Sequence, residues 1–136
     1  MKKIIVAGSR NFSNYTLLFN TLDTLISLDD IIVSGCADGP DSMAISYGEM
    51  RGISVEKYPA KWDDLSVIPC VKKVNRYGKT YNALAGYNRN REMLNAIKNN
   101  PDGGFLIAFW DGKSRGTADM IKIAKENNII VKIISV

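Results

Sequence analysis

Residue types suited to holding an anion gather in Gly104-Phe-Leu-Ile-Ala-Phe-Trp-Asp-Gly-Lys-Ser-Arg-Gly-Thr117. Lys113 and Arg115 bring positive charge, and Gly112, Ser114, Gly116 and Thr117 bring accessible backbone and hydroxyls. The chemistry they fit is phosphate binding. Phe105 to Trp110 is an apolar run of strand length, and Ala118 to Lys125 resumes at helical spacing. The turn between them therefore joins the carboxyl end of a strand to the start of a helix, where free N–H groups and the helix dipole favour negative charge. A single turn of this kind often serves only to connect strand and helix. Two further loops, Gly8-Ser9-Arg10 and Ser34-Gly-Cys-Ala-Asp-Gly-Pro-Asp41, have similar character. Three such loops together indicate a nucleotide-type pocket.

Two familiar phosphate motifs are excluded by spacing. Gly112-Lys113-Ser114 looks like the end of a P-loop, but that motif requires glycine where Ile107 stands in mid-strand. The first turn lacks the G-x-G-x-x-G spacing of dinucleotide-dependent hydride-transfer enzymes. The sequence contains no histidine, which removes histidine-based acid–base catalysis, and Cys36 and Cys70 suit neither a disulfide framework nor a metal cluster. No metal or cofactor is expected.

The elements that must position these loops alternate. Lys2 to Ala7 predicts a first strand, and a helix capped by Ser13 or Asn14 follows, with Leu17, Leu18, Thr21, Leu22, Leu25 and Ile26 at helical spacing to about Leu28. Ile31 to Val33 predicts a second strand. Pro40 suits the first position of a second helix and Asp41 its first turn, while Gly52 is placed to end it. Ile53 to Tyr58 predicts a third strand. Regularity is then lost until a helix near Asn88, and the intervening segment is basic and aromatic, with Trp62, Tyr77, Tyr81 and Tyr87 among its lysines and arginines. After the glycine-rich turn and its helix, Ile129 to Ile134 predicts a last strand. The pattern predicts an α/β fold: one Rossmann-like domain over residues 1–136, a parallel five-stranded sheet with helices on both faces. Ligands in such sheets bind beyond the carboxyl ends of the strands.

Composition sets wider limits. At 136 residues, 46% apolar and 24% charged, the chain has the makeup of one soluble domain. No apolar run approaches the roughly 20 residues of a membrane span, and Ile4 to Ala7 is too short for a signal peptide, so a cytoplasmic location and no membrane partner are expected. A net charge of +4 suits a phosphorylated small molecule or a nucleic acid.

Four pieces of the sequence, Ile4 to Phe12, Ser34 to Asp41, Ala85 to Met93 and Ala108 to Thr117, resemble the SLOG superfamily. This Rossmann-like group includes the DprA (Smf) DNA-processing proteins and the LOG cytokinin-activating enzymes. The nearest likeness is to its small stand-alone YspA/YpsA-related branch. The middle, about Asp64 to Lys79 and at its widest 62–87, stands outside the pattern as an insertion. The resemblance implies a pocket for nucleotide-derived molecules such as ADP-ribose-like or NAD-derived ligands. LOG enzymes cleave the N-glycosidic bond of nucleoside monophosphates with an arginine before the glycine loop and a glutamate after its Gly-Thr. Arg91 matches that arginine by order, and Asp119 stands where the glutamate would be, but the LOG signature itself is replaced at Trp110-Asp111-Gly112. Ser34-Gly35-x-Ala37-x-Gly39-x-Asp41 is similar to the DprA pattern, and DprA binds single-stranded DNA.

The principal expectation is a module that binds a phosphorylated nucleotide-derived ligand, ADP-ribose-like, NAD-derived or a cyclic nucleotide signal, and senses or sequesters it. Gly8, Ser9 and Arg10 would contact it from the first strand, and Ser34, Gly35 and Asp41 from the second. Gly112, Ser114, Gly116 and Thr117 would cradle phosphate, Arg89 and Arg91 would add charge, and Trp110 or Tyr87 would stack on a base. Asp41 would bind a ribose hydroxyl or serve only as a first-turn carboxylate. The alternatives are a LOG-like nucleotide hydrolase using Arg91 and Asp119, and a single-strand nucleic-acid binder using the basic middle segment. The resemblance also implies self-association as a homo-oligomer.

Overall fold

Strand β1 (Lys3–Gly8) sends Ile4 and Val6 to one side and Ile5 and Ala7 to the other, and all four are buried. Both faces of the strand are therefore covered, as in a parallel sheet whose crossover helices lie on each side. The computed structural model describes every residue, 1–136. After β1 come α1 (Tyr15–Leu25), β2 (Ile31–Ser34), α2 (Pro40–Arg51), β3 (Ser54–Lys57), β4 (Lys72–Val74) and β5 (Thr80–Asn82). The chain then forms α3 (Ala85–Lys98), β6 (Gly104–Trp110), α4 (Arg115–Glu126) and β7 (Val131–Ser135). The parallel five-stranded sheet has the order β3-β2-β1-β6-β7, the Rossmann-like α/β arrangement.

Two apolar layers hold it. Leu18 and Leu22 of α1 and Met43, Ala44 and Tyr47 of α2 pack on Ile4, Val6, Ile32, Ile107 and Phe109. On the other face, Met93, Leu94 and Ile97 of α3 and Met120, Ile121, Ile123 and Ala124 of α4 pack on Ile5, Val33, Leu106 and Ala108. The β1–β6 register, Lys3 opposite Gly104 through Gly8 opposite Phe109, brings the carboxyl ends of these two central strands level. From there the chain turns away in opposite directions, toward β2 from β1 and toward β7 from β6. A crevice opens at that switch point.

Local signals account for most boundaries. Asn14 caps α1 by accepting the Leu17 N–H at 3.0 Å. Pro40 opens α2, and Gly52 closes it at φ +70°. α1 stops at Leu25 rather than Leu28, because Ile26 is already extended. The segment read as irregular contains a small antiparallel hairpin, β4 with β5. Asn75 forms its turn by accepting the N–H groups of Tyr77 and Lys79 on its side-chain oxygen. Two backbone bonds, Asn82 N–H to Trp62 O and Ala83 N–H to Val71 O, anchor the hairpin to the rest of the segment. α3 starts at Ala85, one turn earlier than the charged run Asn88 to Glu92 suggests, since the Asn88 N–H already bonds the Leu84 carbonyl. No helix is long and apolar enough to cross a membrane.

Candidate functional site

The crevice at the carboxyl ends of β1 and β6 is a cleft of about 560 Å³. Its floor comes from Gly8 at the end of β1 and Ser9 and Arg10 after it, and one wall from Ser114, Gly116 and Thr117 at the start of α4. Asp41 at the start of α2 and Arg89 and Asn90 of α3 complete it, with Lys113 at the rim.

The start of α4 brings unpaired backbone N–H groups to the cleft. Asp111 folds the preceding turn by accepting the N–H groups of Lys113 and Ser114, both at 2.8 Å. These bonds, the Ser114 one foremost, hold the Asp111 carboxyl below its usual range. The Asp111 N–H in turn bonds the Ser9 hydroxyl at 3.0 Å, which ties the two loops together. Ser114 spends its side chain on Thr117, hydroxyl to hydroxyl at 3.2 Å, and makes no side-chain cap. The Ala118 N–H is the first to find a helical acceptor, the Ser114 carbonyl. The N–H groups of Gly116 and Thr117 are left without protein acceptors beside the cleft. A side-chain Cβ at Gly116 would meet no atom within 4 Å, so the space beside these N–H groups is open.

Asp41 and Arg89 form the cleft's charged wall. Asp41 is 5% exposed and accepts the Ala37 N–H at 3.4 Å. Burial pushes its carboxyl up to about 6, with Arg89 the largest opposing influence. Arg89 is half-buried, and its guanidinium donates to the Gly35 carbonyl and to Asn90 Oδ1. Burial presses it below its ordinary value, and Asp41 counters that. Gly35 gives the pair room: a Cβ there would come within 2.6 Å of Arg89 Nη1 and 2.8 Å of Asp41 Oδ2.

The structure gathers Gly8, Ser9, Arg10, Asp41, Arg89, Ser114, Gly116 and Thr117 around one space. The other residues singled out in the sequence stand elsewhere. Ser34 is fully buried, and its hydroxyl donates to the Asp41 carbonyl at 2.8 Å and accepts the Cys36 N–H. Gly35 borders a neighbouring shallow space with Cys36 and Trp62. Gly112 takes the positive φ of the turn, outside the cleft. Trp110 packs on the α3–α4 layer with its indole N–H on the Ser114 carbonyl, which braces the loop. Tyr87 faces a small hollow with Trp62 and Gly116.

Arg91 and Asp119 meet each other, with guanidinium–carboxylate bonds of 3.1 and 3.2 Å. Arg91 also donates to the Tyr87 carbonyl, and Asp119 also accepts from Asn90. The pair joins α3 to α4 outside the lining of the cleft.

Asn90 is the residue the sequence reading passes over. It is 5% exposed, and its amide donates to the Gly116 carbonyl and to Asp119, both at 3.1 Å. It therefore fixes the start of α4 against α3. Its signal was present: Asn90, Met93, Leu94 and Ile97 share one helical stripe, and a polar member of a buried stripe must have a partner.

Comparison with known proteins agrees with the fold. Residues 2–64 match the model of the YspA, cpYpsA-related SLOG family. No curated protein sequence matches the chain. Among solved structures, the X-ray structure of DNA processing protein A (DprA) from Streptococcus pneumoniae superposes on 98% of the chain with a TM-score of 0.72 at 20% identity. The chain covers 50% of that longer protein, and at this identity the likeness establishes the fold.

Proposed function

We propose, from the likeness of residues 2–64 to the YspA, cpYpsA-related SLOG family, that the cleft of this chain binds a phosphorylated nucleotide-derived ligand. ADP-ribose-like, NAD-derived and cyclic nucleotide molecules are the class that fits. The observation that carries the reading is the pair of unpartnered N–H groups of Gly116 and Thr117 at the start of α4. They open on a space that Arg10, Arg89 and Lys113 also line. Backbone donors at a helix start, backed by guanidinium groups, recognise phosphate without metal. Asp41, buried and raised to about 6, is suited to a ribose hydroxyl, which it can meet as donor or acceptor. Arg91 and Asp119 satisfy each other away from this space, which favours binding over a LOG-like hydrolysis.

Titration calorimetry with inorganic phosphate, AMP and ADP-ribose tests the proposal. Wild type should bind the two nucleotides more tightly than phosphate alone. Gly116→Val places its side chain in the open approach and should abolish binding while the helix folds normally. Equal binding by Gly116→Val would refute the assignment.

A second reading draws on the hairpin. Lys72, Lys73, Arg76, Tyr77 and Lys79 are all exposed on or between β4 and β5, with the Arg76 guanidinium 4.9 Å from the Tyr77 ring centre. Cations interleaved with an exposed ring suit single-stranded nucleic acid, and the fold is shared with a DNA-processing protein. Binding of a labelled oligonucleotide that weakens steeply with salt, and falls in Lys72→Ala/Lys73→Ala/Arg76→Ala, would support it.

A further inference from the structure

Beside the phosphate cleft lies a hollow of about 190 Å³ that Trp62 and Gly116 both line. It is smaller than a typical ligand pocket, and it shares Arg10, Arg89, Asn90 and Gly116 with the cleft. The hollow is therefore an annex of the larger space. Its only charged groups are Arg10 and Arg89, and no carboxylate lines it. Arg10 takes part in none of the ion pairs of the fold.

Trp62 is 39% exposed, so much of its indole is open to a ligand. Its position is nevertheless set by the protein. The Trp62 carbonyl accepts the Asn82 N–H at 2.8 Å. The side-chain oxygen of Asn82 in turn accepts the N–H groups of Val71 and Leu84, which fixes that stretch of chain. The benzo edge of the indole lies against α3 at Gly86, where a Cβ would stand 3.5 Å from Cη2. Tyr81 meets the indole at 66°, with ring centres 6.3 Å apart. No ring lies parallel to the indole, and no guanidinium lies over it. An aromatic surface held in place, partly open and next to a phosphate site suits a ring joined to that phosphate. Trp110 is occupied in bracing the glycine loop and does not compete for the role. The charge selects the kind of ring. Two guanidinium groups repel a cationic ring such as an oxidised nicotinamide and favour a neutral, electron-rich one. A fused purine covers more of the indole than a pyrimidine does.

We infer that Trp62 is the stacking platform for the purine base of the ligand in the cleft, and that the base lies in this annex. The inference rests on the phosphate reading and adds to it the place and the class of the base. A ligand made of sugar and phosphate alone gains nothing from Trp62.

NMR titration with AMP, adenosine and ribose 5-phosphate tests this. The readouts are the Trp62 indole N–H, told apart from that of Trp110 by its loss in Trp62→Phe, and the Gly116 and Thr117 amides. AMP should move all three in one saturable transition. Ribose 5-phosphate should move Gly116 and Thr117 alone, and adenosine Trp62 alone, each binding more weakly than AMP. Trp62→Leu keeps apolar bulk but removes the ring, and should weaken AMP binding about tenfold or more, the worth of one stacked base. The same change should leave ribose 5-phosphate binding as in wild type, and Trp62→Phe should restore AMP binding to within a few-fold. If Trp62→Leu fails to fold, the indole signal of the wild type decides alone. The inference is overturned if AMP and adenosine leave the Trp62 indole unmoved, or if Trp62→Leu binds AMP like wild type. Movement of Trp62 with Gly116 and Thr117 silent would keep the stacking platform and refute the phosphate assignment instead.

Discussion

Asp41→Asn should make the protein more stable at neutral and alkaline pH. The Asp41 carboxyl is raised from 3.8 to about 6, chiefly by burial, with Arg89 acting in the opposite direction. Between those two values the native state keeps a proton that the unfolded chain has lost, so stability falls as pH rises through the window. The interval from 3.8 to about 6 corresponds to about 3 kcal/mol at pH 8, at roughly 1.4 kcal/mol for each tenfold change in proton affinity. Asparagine has nearly the same shape, retains an oxygen for the Ala37 N–H and carries no charge to bury. Urea unfolding of both proteins from pH 4 to pH 8 isolates the effect, since other titrating groups cancel in the difference. The variant should match wild type near pH 4 and gain progressively through pH 6. The gain should plateau near 3 kcal/mol, or roughly 10 °C in Tm for a domain of this size. A difference that stays constant with pH, or a variant less stable at pH 8, would refute the reasoning. A stability gain accompanied by weaker AMP binding would identify Asp41 as a residue kept for its ligand at the expense of the fold.

Ser34→Ala should lower stability by about 1–3 kcal/mol in thermal unfolding, because it removes a buried hydrogen bond to the Asp41 carbonyl and leaves the Cys36 N–H without its acceptor, yet leave AMP affinity within a few-fold. Asp119→Asn should leave nucleotide affinity unchanged, and chromatography should show no free base released from AMP by wild type. Base release by wild type that disappears in Asp119→Asn would establish hydrolysis. Light scattering at micromolar concentration should give a multiple of the 15.1 kDa chain mass, as the homo-oligomer expectation requires, and a monomer with and without ADP-ribose would dismiss it.

The central sheet was legible because its signals are local and repeated. The apolar runs at β1, β2 and β6 leave little alternative to buried parallel strands, and Pro40 and Gly52 mark the ends of α2 by their own backbone preferences. The middle segment was not, since β4 and β5 have three residues each and are mostly exposed, so no apolar alternation announces them. In the cleft, residue type indicated which loops converge but not where each side chain points. Ser34 and Trp110 have the chemistry of ligand contacts and are occupied in bracing the loops. Arg91 and Asp119 lie 28 positions apart in sequence, and only the packing of α3 on α4 reveals that they face each other. Asn82, whose partners Val71 and Leu84 belong to the loops around the hairpin, leaves no pattern in sequence.

The central claim is that a nucleotide phosphate sits at the start of α4. Crystals soaked with adenosine 5′-thiophosphate would locate the group directly through the anomalous signal of its sulfur. The account predicts a thiophosphate within about 3 Å of the Gly116 and Thr117 amide nitrogens, with an arginine side chain from Arg10 or Arg89 against it. A sulfur signal over the β4–β5 hairpin, with the cleft empty at saturating ligand, would contradict it.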